Sequence, residues 1–270
     1  MRRFIYKFFK YLKWCKRGGY TQINLSQIIY PAILEGKKAL IIGGSDGIGL
    51  AIAKKFISAG ASVVITGRSI DRLEKAKKID SNKLFVLQWD VSDIDLINTN
   101  LERVKELMGG IDIVVNNAAF LAYYSNTIEF FDKTMDTNLR ALYFMCEACC
   151  SFMKKENGKK GGHIVNISSI NAYQSNVHPY YISKRAGNAI TEGFAKKYAP
   201  FNIVVNAVAP GYCDSSINKQ DAQKNAYWED AANNRITTPS EIAELVTFLC
   251  SGAADGIVGQ TIVCDGGTIL

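Results

Sequence analysis

Short apolar runs rich in β-branched residues alternate with longer segments of helical periodicity from residue 37 onward. The seven runs lie at 37–44, 61–66, 83–90, 111–117, 162–169, 201–210 and 259–267. Nearly continuous apolar runs of this length are typical of strands that are buried on both faces of a parallel sheet. The alternation therefore predicts an α/β fold, with a doubly wound, mainly seven-stranded parallel sheet and helices on both faces.

The segments between the runs have the length and spacing of helices. They lie at 49–60, 69–80, 96–109, about 128–155, about 179–198 and 239–252. No linker rich in proline, glycine or serine interrupts the alternation, so we expect one domain over 37–270, preceded by an arm of residues 1–36. No stretch approaches about 18 uninterrupted apolar residues, and the sequence therefore predicts no membrane-spanning helix.

The net positive charge is concentrated at the start of the chain. The 32 Lys and Arg outnumber the 25 Asp and Glu by seven. Seven cations precede the first acidic residue, Glu35, and they are Arg2, Arg3, Lys7, Lys10, Lys13, Lys16 and Arg17. The rest of the chain is therefore neutral, which gives no reason to expect a nucleic-acid-binding surface on it.

The arm separates into an apolar and a cationic face at helical spacing. Its apolar face consists of Met1, Phe4, Ile5, Phe8, Tyr11, Leu12 and Cys15. This pattern predicts a helix that lies on an anionic membrane surface through residues 1–17. A mitochondrial leader, or an arm that docks on a neighbouring subunit, would have a similar amphipathic pattern. The lysines exclude a secretory signal, which needs an uncharged apolar core.

The seven cysteines are odd in number and have no regular spacing. Cys146, Cys149 and Cys150 lie in an apolar helical run without a second cysteine pair or a nearby histidine, so we expect them to pack in the core. The chain has two histidines, and no metal site is predicted. Reduced thiols favour a cytoplasmic protein, which would be peripheral at a membrane surface if the arm attaches there.

A glycine-rich turn follows the first predicted strand and opens the first helix. Gly43, Gly47 and Gly49 allow a tight backbone turn and let amides at the helix N-terminus approach a pyrophosphate. A tight strand-to-helix turn would by itself explain a glycine trio. Its position after the first strand of the alternating pattern favours a dinucleotide site.

The end of the second predicted strand indicates which dinucleotide binds. An acidic residue about 20 residues after the last glycine would bind a ribose 2′-hydroxyl. The chain instead has Thr66, Gly67, Arg68 and Ser69. A guanidinium can pair with a 2′-phosphate, so the sequence favours NADP(H) over NAD(H). The alternative is that Arg68 is a solvated residue at a strand end.

Two adjacent tyrosines, Tyr180 and Tyr181, stand about one helical turn before Lys184. Hydride transfer to or from a carbonyl needs a proton donor or acceptor at the carbonyl oxygen. A tyrosine, with a pKa of about 10, serves near neutrality when a neighbouring cation stabilises its phenolate. Spacing alone leaves both hydroxyls within reach of the lysine.

A series of short motifs resembles those of the short-chain dehydrogenase/reductase family over about residues 37 to 270. In order, they are "GGSDGIG" at 43–49, "DV" at 90–91, "NNAA" at 116–119, Asn138, "NISS" at 166–169, YxxxK from Tyr180 to Lys184, "PG" at 210–211 and "DGG" at 265–267. The resemblance implies a Rossmann-like fold and an NADP(H)-dependent oxidoreductase that interconverts a carbonyl and a secondary alcohol. It also implies a homodimer or homotetramer.

The resemblance further implies a role for each site residue. The YxxxK register makes Tyr180 the acid/base and lets Lys184 lower its pKa while binding the nicotinamide ribose. Ser169 is expected to orient the carbonyl, and Asn138 to hold a water in the proton relay. The expected cofactor-binding residues are Gly43, Ser45, Asp46, Gly47, Ile48, Gly49, Arg68, Ser69, Asp90, Val91, Asn117, Tyr180, Lys184, Pro210, Gly211 and Ser215.

The chain departs from the family pattern at three places. Ile42 stands where a threonine is usual, and Ala119 replaces the last glycine of NNAG. The interval from Ser169 to Tyr180 is about two residues shorter than the family pattern leads us to expect. That shortening makes the segment before Tyr180, with His178 as a candidate substrate contact, the place to expect an unusual pocket.

Residues 211–236 are expected to form a lid over the substrate. The segment is polar, and its large aromatic residues are Tyr212, Tyr227 and Trp228. This favours a polar or sugar-like small molecule over a sterol or a long acyl chain. A reductase of the 3-oxoacyl-carrier-protein type is the alternative. A second alternative is a non-catalytic protein that senses NADP(H). Such a sensor has no need for the complete set of catalytic residue types.

Overall fold

The computed structural model describes residues 2–16, 32–80, 82–121, 127–214 and 226–270. Its seven strands are β1 (Lys38–Ile42), β2 (Ser62–Gly67), β3 (Leu84–Gln88), β4 (Ile113–Asn116), β5 (Gly162–Ile167), β6 (Ile203–Pro210) and β7 (Thr261–Cys264). They form one sheet in the order β3-β2-β1-β4-β5-β6-β7, in which every pairing is parallel. Six strands lie inside their predicted runs and β2 extends one residue beyond its run, so the predicted sheet is confirmed.

Eight α-helices accompany the sheet in the described part of the chain. They are α1 (Arg2–Lys16), α2 (Gly47–Ser58), α3 (Ile70–Lys77), α4 (Ile97–Met108), α5 (Ile128–Met135), α6 (Ala141–Glu156), α7 (Pro179–Tyr198) and α8 (Pro239–Leu249). A π-helical segment, Asp136–Arg140, joins α5 to α6. The predicted helix at about 128–155 is therefore one helical stretch with a wide turn in its middle. No described helix has the length and apolarity to cross a bilayer.

Polar side chains cap the first turns of five helices. Asp46 caps α2, Ser69 caps α3, Thr127 caps α5, His178 caps α7 and Thr238 caps α8. Each accepts a hydrogen bond from a backbone amide that the helix itself leaves unpaired. These caps fix where the chain leaves each loop and enters a helix, and three of them, Asp46, Ser69 and His178, border the candidate site.

The core lies in two layers, one on each face of the sheet. On one face Ile41 of β1 belongs to a buried cluster with Phe56 of α2 and Val246 of α8. On the other face Leu40 belongs to a buried cluster with Met145 of α6. Adjacent residues of one strand thus face opposite helical layers, because side chains alternate along a strand. Helices on both faces are confirmed.

The predicted packing of the cysteine run is confirmed by burial. Cys146, Cys149 and Cys150 are at most 1% exposed and lie in the layer formed with α6. Burial in this apolar layer raises the pKa of the Cys146 thiol to about 12 and raises those of its two neighbours as well. These side chains are therefore protonated core residues at neutral pH.

The strand order creates a crevice next to β1. From β1 the chain proceeds to β2 on one side, whereas β4, on the other side, is followed by β5. In a doubly wound sheet the loops at such a switch point separate, and ligands bind beyond the carboxyl ends of the strands. Most of the predicted site residues follow the carboxyl ends of β1 to β6, whereas Asn138 lies in the π-helical segment and Tyr180 and Lys184 lie in α7.

Candidate active site

The glycine turn after β1 is held in a shape that side chains would obstruct. Gly43 has φ of +79°, and a Cβ on Gly49 would lie 2.2 Å from the carbonyl oxygen of Gly43. Asn117, after β4, braces the turn by donating a hydrogen bond from Nδ2 to that carbonyl at 2.6 Å. The amides at the start of α2 consequently border the crevice, where a helix N-terminus favours an anionic group.

A cavity of about 680 Å³ extends from this turn along the carboxyl ends of β1, β2 and β3. The predicted cofactor residues that line it are Gly43, Ser45, Asp46, Gly47, Ile48, Arg68, Ser69, Asp90, Val91 and Asn117. Gly49 lies beneath the turn, where its missing side chain matters for packing. We call this space the nucleotide cavity.

Two arginines stand at the β2 end of the nucleotide cavity. Arg68 and Ser69 are exposed there, as predicted from the strand end. Arg72, which sequence analysis missed, lies one turn further on in α3 and lines the same cavity. Its Nη1 is 3.9 Å from the carboxylate of Asp46. The i, i+4 spacing of two arginines across a helix start is the signal that could have revealed it.

A second cavity of about 550 Å³ adjoins the first and shares Ile48, Asn117 and Ala119 with it. Three of the four predicted catalytic residues line it, namely Ser169, Tyr180 and Lys184, together with the predicted cofactor residues Pro210 and Gly211. We call this space the substrate cavity. The fold therefore brings together residues of α7 and residues at or just beyond the carboxyl ends of β5 and β6, which are up to 42 positions apart.

Burial changes the chemistry of Lys184. Its side chain is 7% exposed, and removal from water lowers its pKa from 10.5 to about 8. Nζ donates a hydrogen bond to the carbonyl oxygen of Ile167 at 2.7 Å and lies 5.6 Å from the ring centroid of Tyr180. A lysine has three N–H donors, so further donors are available to a bound ligand.

Tyr180 and Tyr181 both reach the substrate cavity, but they are placed differently. Tyr180 is 8% exposed and its ring lies beside the Lys184 ammonium. Tyr181 is half-buried and packs edge-on against Tyr180, with ring centroids 6.5 Å apart. The buried tyrosine next to the buried lysine is the better placed acid/base candidate.

The two serines at the end of β5 have different surroundings. Ser168 donates from Oγ to Oδ1 of Asn188 in α7 at 2.6 Å, which ties the strand end to that helix. Ser169 lines the substrate cavity, and its Oγ accepts a hydrogen bond from the amide of Asn171 at 3.2 Å. Because that bond uses the oxygen as an acceptor, the hydroxyl proton of Ser169 remains suited to donation toward a ligand.

Asn138 lies in the π-helical segment and braces the loop after β4. Its Nδ2 donates to the carbonyl oxygen of Phe120 at 2.8 Å, and its Oδ1 accepts from the Phe120 amide at 2.7 Å. The carboxamide thus holds one side of the nucleotide cavity in place, since Phe120 lines that cavity. Its part in holding a water stays a prediction.

The shortened segment before Tyr180 ends in a histidine cap. His178 lines the substrate cavity, and its Nδ1 accepts a hydrogen bond from the amide of Tyr180 at 3.2 Å. The imidazole therefore fixes the start of α7, the helix that carries Tyr180 and Lys184. The other histidine, His163 near the start of β5, pairs with Asp255 at 2.9 Å and so has a structural contact away from both cavities.

A flat aromatic wall on the substrate cavity was not predicted. The rings of Tyr212 and Trp228 are stacked, with centroids 4.1 Å apart and an interplanar angle of 4°. Both line the cavity, together with the exposed carboxylate of Asp230. The predicted cofactor residue Ser215 and residues 215–225 of the predicted lid lie outside the described residues.

A dinucleotide crevice that opens into a cavity containing a buried tyrosine, lysine and serine defines a nucleotide-dependent oxidoreductase. A family model described as enoyl-(acyl carrier protein) reductase matches residues 43–268. The 3-oxoacyl-(acyl-carrier-protein) reductase FabG of Aquifex aeolicus is 34% identical over 245 residues, which cover 87% of this chain and 98% of that protein. The chain belongs to the short-chain dehydrogenase/reductase family.

Solved structures agree with this assignment. A 3-ketoacyl-(acyl-carrier-protein) reductase from Brucella melitensis, complexed with NADH, has a TM-score of 0.82 at 28% identity, covering 88% of this chain and 100% of that one. A short chain dehydrogenase from Burkholderia cenocepacia, in complex with NADP, has a TM-score of 0.80 at 32% identity, covering 88% and 99%. This protein is similar to both and is an oxidoreductase acting on carbonyl or alcohol groups.

Proposed function

We propose that this oxidoreductase uses NADP(H) to interconvert a carbonyl group and a secondary alcohol on a polar or sugar-like small molecule. The observation that carries the proposal is the buried Tyr180 and Lys184 pair in a cavity that adjoins the nucleotide cavity. The test is cofactor-dependent absorbance change with a panel of carbonyl substrates, coupled to the Tyr180 variant described in the Discussion.

In the reduction direction the protein has to donate one proton to the carbonyl oxygen and stabilise the negative charge that develops there. A nicotinamide cofactor supplies the hydride when it is bound. Tyr180 Oη gives its proton to the carbonyl oxygen, while the Ser169 hydroxyl donates a hydrogen bond to the same oxygen. Lys184 favours the phenolate that remains and offers its free N–H donors to the cofactor ribose. The alcohol direction reverses each step.

Cofactor preference is assigned to the arginines at the end of β2. Arg68 and Arg72 give the adenosine side of the nucleotide cavity two guanidinium groups, and the β2 end has no carboxylate in the place that would suit a free 2′-hydroxyl. A 2′-phosphate is dianionic and accepts bidentate hydrogen bonds from arginine. The Burkholderia relative that carries NADP supports the same choice.

The Arg68→Ala variant is expected to weaken NADPH binding by about tenfold or more, because a charge-assisted hydrogen bond to phosphate is lost. NADH binding should change by less than about twofold, since NADH has no phosphate at that position. Fluorescence titration of each cofactor measures both constants. Arg103→Ala, an exposed arginine of α4, is the matched control. Equal losses for the two cofactors in Arg68→Ala would refute the assignment.

The lining of the substrate cavity supports a polar substrate. Asn171, Gln174 and Asn176 contribute amide groups, and Asp230 contributes a carboxylate next to the aromatic wall. Amides and carboxylates suit hydroxyl groups, and a flat aromatic surface suits the apolar face of a sugar ring. The relatives that reduce 3-oxoacyl carrier-protein substrates support the alternative. The panel therefore includes an acetoacetyl thioester beside sugar-derived ketones.

We propose a homodimer or homotetramer, as the family resemblance implies. Support comes from exposed large apolar side chains on the outer layer. Tyr143 and Phe144 of α6 are 47% and 42% exposed, and Ile182 of α7 is 42% exposed. Apolar residues grouped on two neighbouring helices suit burial against a second copy of the chain.

We propose that α1 attaches the enzyme to an anionic membrane surface. α1 extends over Arg2–Lys16. On its apolar face Ile5, Phe8 and Leu12 are 47%, 52% and 37% exposed. An interfacial helix buries such a face among lipid headgroups while flanking cations attract the anionic lipids. Attachment to a membrane is favoured over a mitochondrial leader, because the aromatic residues of the arm suit the interface between membrane and water.

Deletion of residues 1–19 is expected to weaken binding to vesicles that contain phosphatidylserine by at least about tenfold, since each lysine or arginine near the surface contributes about 1 kcal/mol. Co-sedimentation measures the bound fraction. Vesicles of neutral lipid serve as the control for the electrostatic part. Equal sedimentation of the full-length and shortened proteins would exclude this role for the arm.

A further inference from the structure

Residues 226–236 form a short hairpin at the edge of the substrate cavity. Tyr227 and Arg235 form an antiparallel bridge. The Trp228 amide donates to the Asn234 carbonyl at 3.1 Å, and the Ile236 amide donates to the Ala226 carbonyl at 2.9 Å. We call these residues the 226–236 hairpin.

The first arm of this hairpin divides its side chains between two neighbours. Trp228 and Asp230 line the substrate cavity. Tyr227 and Glu229, which alternate with them, contact helix α1. One side of the segment is therefore a wall of the substrate cavity, and the other side is the docking surface of α1.

Three residues of α1 make these contacts. The Lys7 ammonium forms an ion pair with the Glu229 carboxylate, and the Lys10 ammonium donates a hydrogen bond to the Glu229 carbonyl oxygen. The Tyr11 ring meets the Tyr227 ring edge-on, with centroids 5.5 Å apart and an interplanar angle of 74°. The spacings i, i+3 and i+4 place the three residues on one stripe of the helix.

We propose that α1 is a positioning element for the substrate cavity. By holding Tyr227 and the side chain and carbonyl of Glu229, it fixes the backbone on both sides of Trp228. Trp228 is thereby kept in its stack against Tyr212, and Asp230 is kept at the cavity edge. The inference rests on the proposed function only in taking this cavity to be the one that binds the substrate.

The contact between α1 and the 226–236 hairpin involves a helix that the family model does not match. That match begins at residue 43, so α1 lies outside it, whereas the hairpin lies inside it. The docking stripe shares Tyr11 with the apolar face of α1, whereas Ile5, Phe8 and Leu12 of that face remain exposed. The helix can thus hold the hairpin through Tyr11 and present the other three side chains to lipid at the same time.

Charge reversal tests the Lys7–Glu229 pair in the full-length protein without lipid. Lys7→Glu and Glu229→Lys are each expected to raise the KM for the carbonyl substrate by about three- to tenfold, because an attraction is replaced by a repulsion. kcat and the Kd of NADPH are expected to change by less than about twofold. The Lys7→Glu/Glu229→Lys double variant restores the KM, since it recreates the pair with its charges exchanged.

Lys13→Glu is the matched control. It makes the same charge change on the same helix, and the exposed Lys13 side chain forms no ion pair with the described residues. Its KM should equal that of the unaltered protein. A rise in KM as large as that of Lys7→Glu would show that the net charge of the arm, and not its contact with the hairpin, is responsible. That result would overturn the proposal.

Hydrogen exchange provides a readout that does not depend on turnover. The peptide spanning residues 226–236 should exchange faster in Lys7→Glu and in Glu229→Lys, and at the original rate in the double variant. Unchanged exchange in both single variants would overturn the proposal even if KM moved. Faster exchange and its rescue, in a protein that reduces no carbonyl of the panel, would uphold the positioning contact and refute the proposed function instead.

Discussion

Tyr180→Phe is expected to lower kcat by about 10²- to 10⁴-fold, the usual contribution of a positioned general acid or base. Phenylalanine preserves the ring that packs beside Lys184 and Tyr181, but it has no proton to give to the carbonyl oxygen. The NADPH dissociation constant should stay within about threefold, because the change removes at most one expected cofactor contact, that of the Tyr180 hydroxyl, and leaves every residue that lines the nucleotide cavity in place. Steady-state kinetics and a fluorescence titration measure the two effects separately.

The adjacent tyrosine is the control for this experiment. Tyr181→Phe removes the same hydroxyl group from the neighbouring position, on a ring that also borders the substrate cavity. We expect its effect to fall mainly on KM, with kcat changed far less than in Tyr180→Phe. A larger loss of kcat in Tyr181→Phe would transfer the acid/base role to Tyr181. Equal and small losses in both variants would contradict tyrosine catalysis altogether.

Lys184→Met is expected to abolish most turnover while making the cofactor-free protein more stable below about pH 8. The activity is lost, by about 10²-fold or more, because the phenolate of Tyr180 loses its cation and the cofactor ribose loses a donor. The stability is gained because a buried ammonium is costly and an isosteric apolar side chain is not.

The size and sign of the stability effect follow from the lysine's pKa. Burial lowers it from 10.5 to about 8, which corresponds to about 3 kcal/mol at 1.36 kcal/mol per pH unit. This cost is fully present below pH 8 and falls as the pH rises from about 8 to 10.5, above which the lysine is largely neutral in both the folded and the unfolded chain. Loss of the hydrogen bond to Ile167, worth about 1.5–3 kcal/mol, offsets half or more of this gain, so the net stabilisation below pH 8 is about 1.5 kcal/mol at most.

Chemical denaturation between pH 7 and 10.5 checks this prediction. In the unaltered protein, deprotonation of Lys184 should contribute an increase in stability as the pH rises through that range. Lys184→Met should lack this increase. Lys197→Met, on the same helix, is the control. Lys197 is exposed, and its hydrogen bond to Glu147 raises its pKa. A rise in stability with pH that persists in Lys184→Met would exclude the buried lysine as its source.

Most of the fold could be predicted because its elements are specified locally. The strands of a doubly wound sheet are buried on both faces, and they therefore stand out as apolar runs such as that of β6. The ends of strands and helices were located to within about two residues in most cases. The π-helical turn around Asn138 was missed, because one extra residue within a helical stretch leaves the apolar periodicity on each side almost unchanged.

The candidate site was predicted where residues lie close in sequence and missed where folding brings distant ones together. The glycine turn and the Tyr180 to Lys184 spacing are local signals. The stack of Tyr212 on Trp228 depends on how the 226–236 hairpin folds back, which no periodicity encodes. The contact of Lys7 with Glu229 spans 222 positions, and any of the arm's cations could have formed it. Amphipathicity predicted the helix α1 and left its partner open.

The burial of the cysteines leaves a single convenient place for chemical labelling. Cys15 of α1 is exposed, Cys264 is half-buried with its pKa raised to about 11, and the other five cysteines are buried with raised pKa values. Thiolates react with maleimides and thiols do not, so these six react slowly at neutral pH. A fluorophore can therefore be attached to α1 in the unaltered sequence and used to follow that helix in real time.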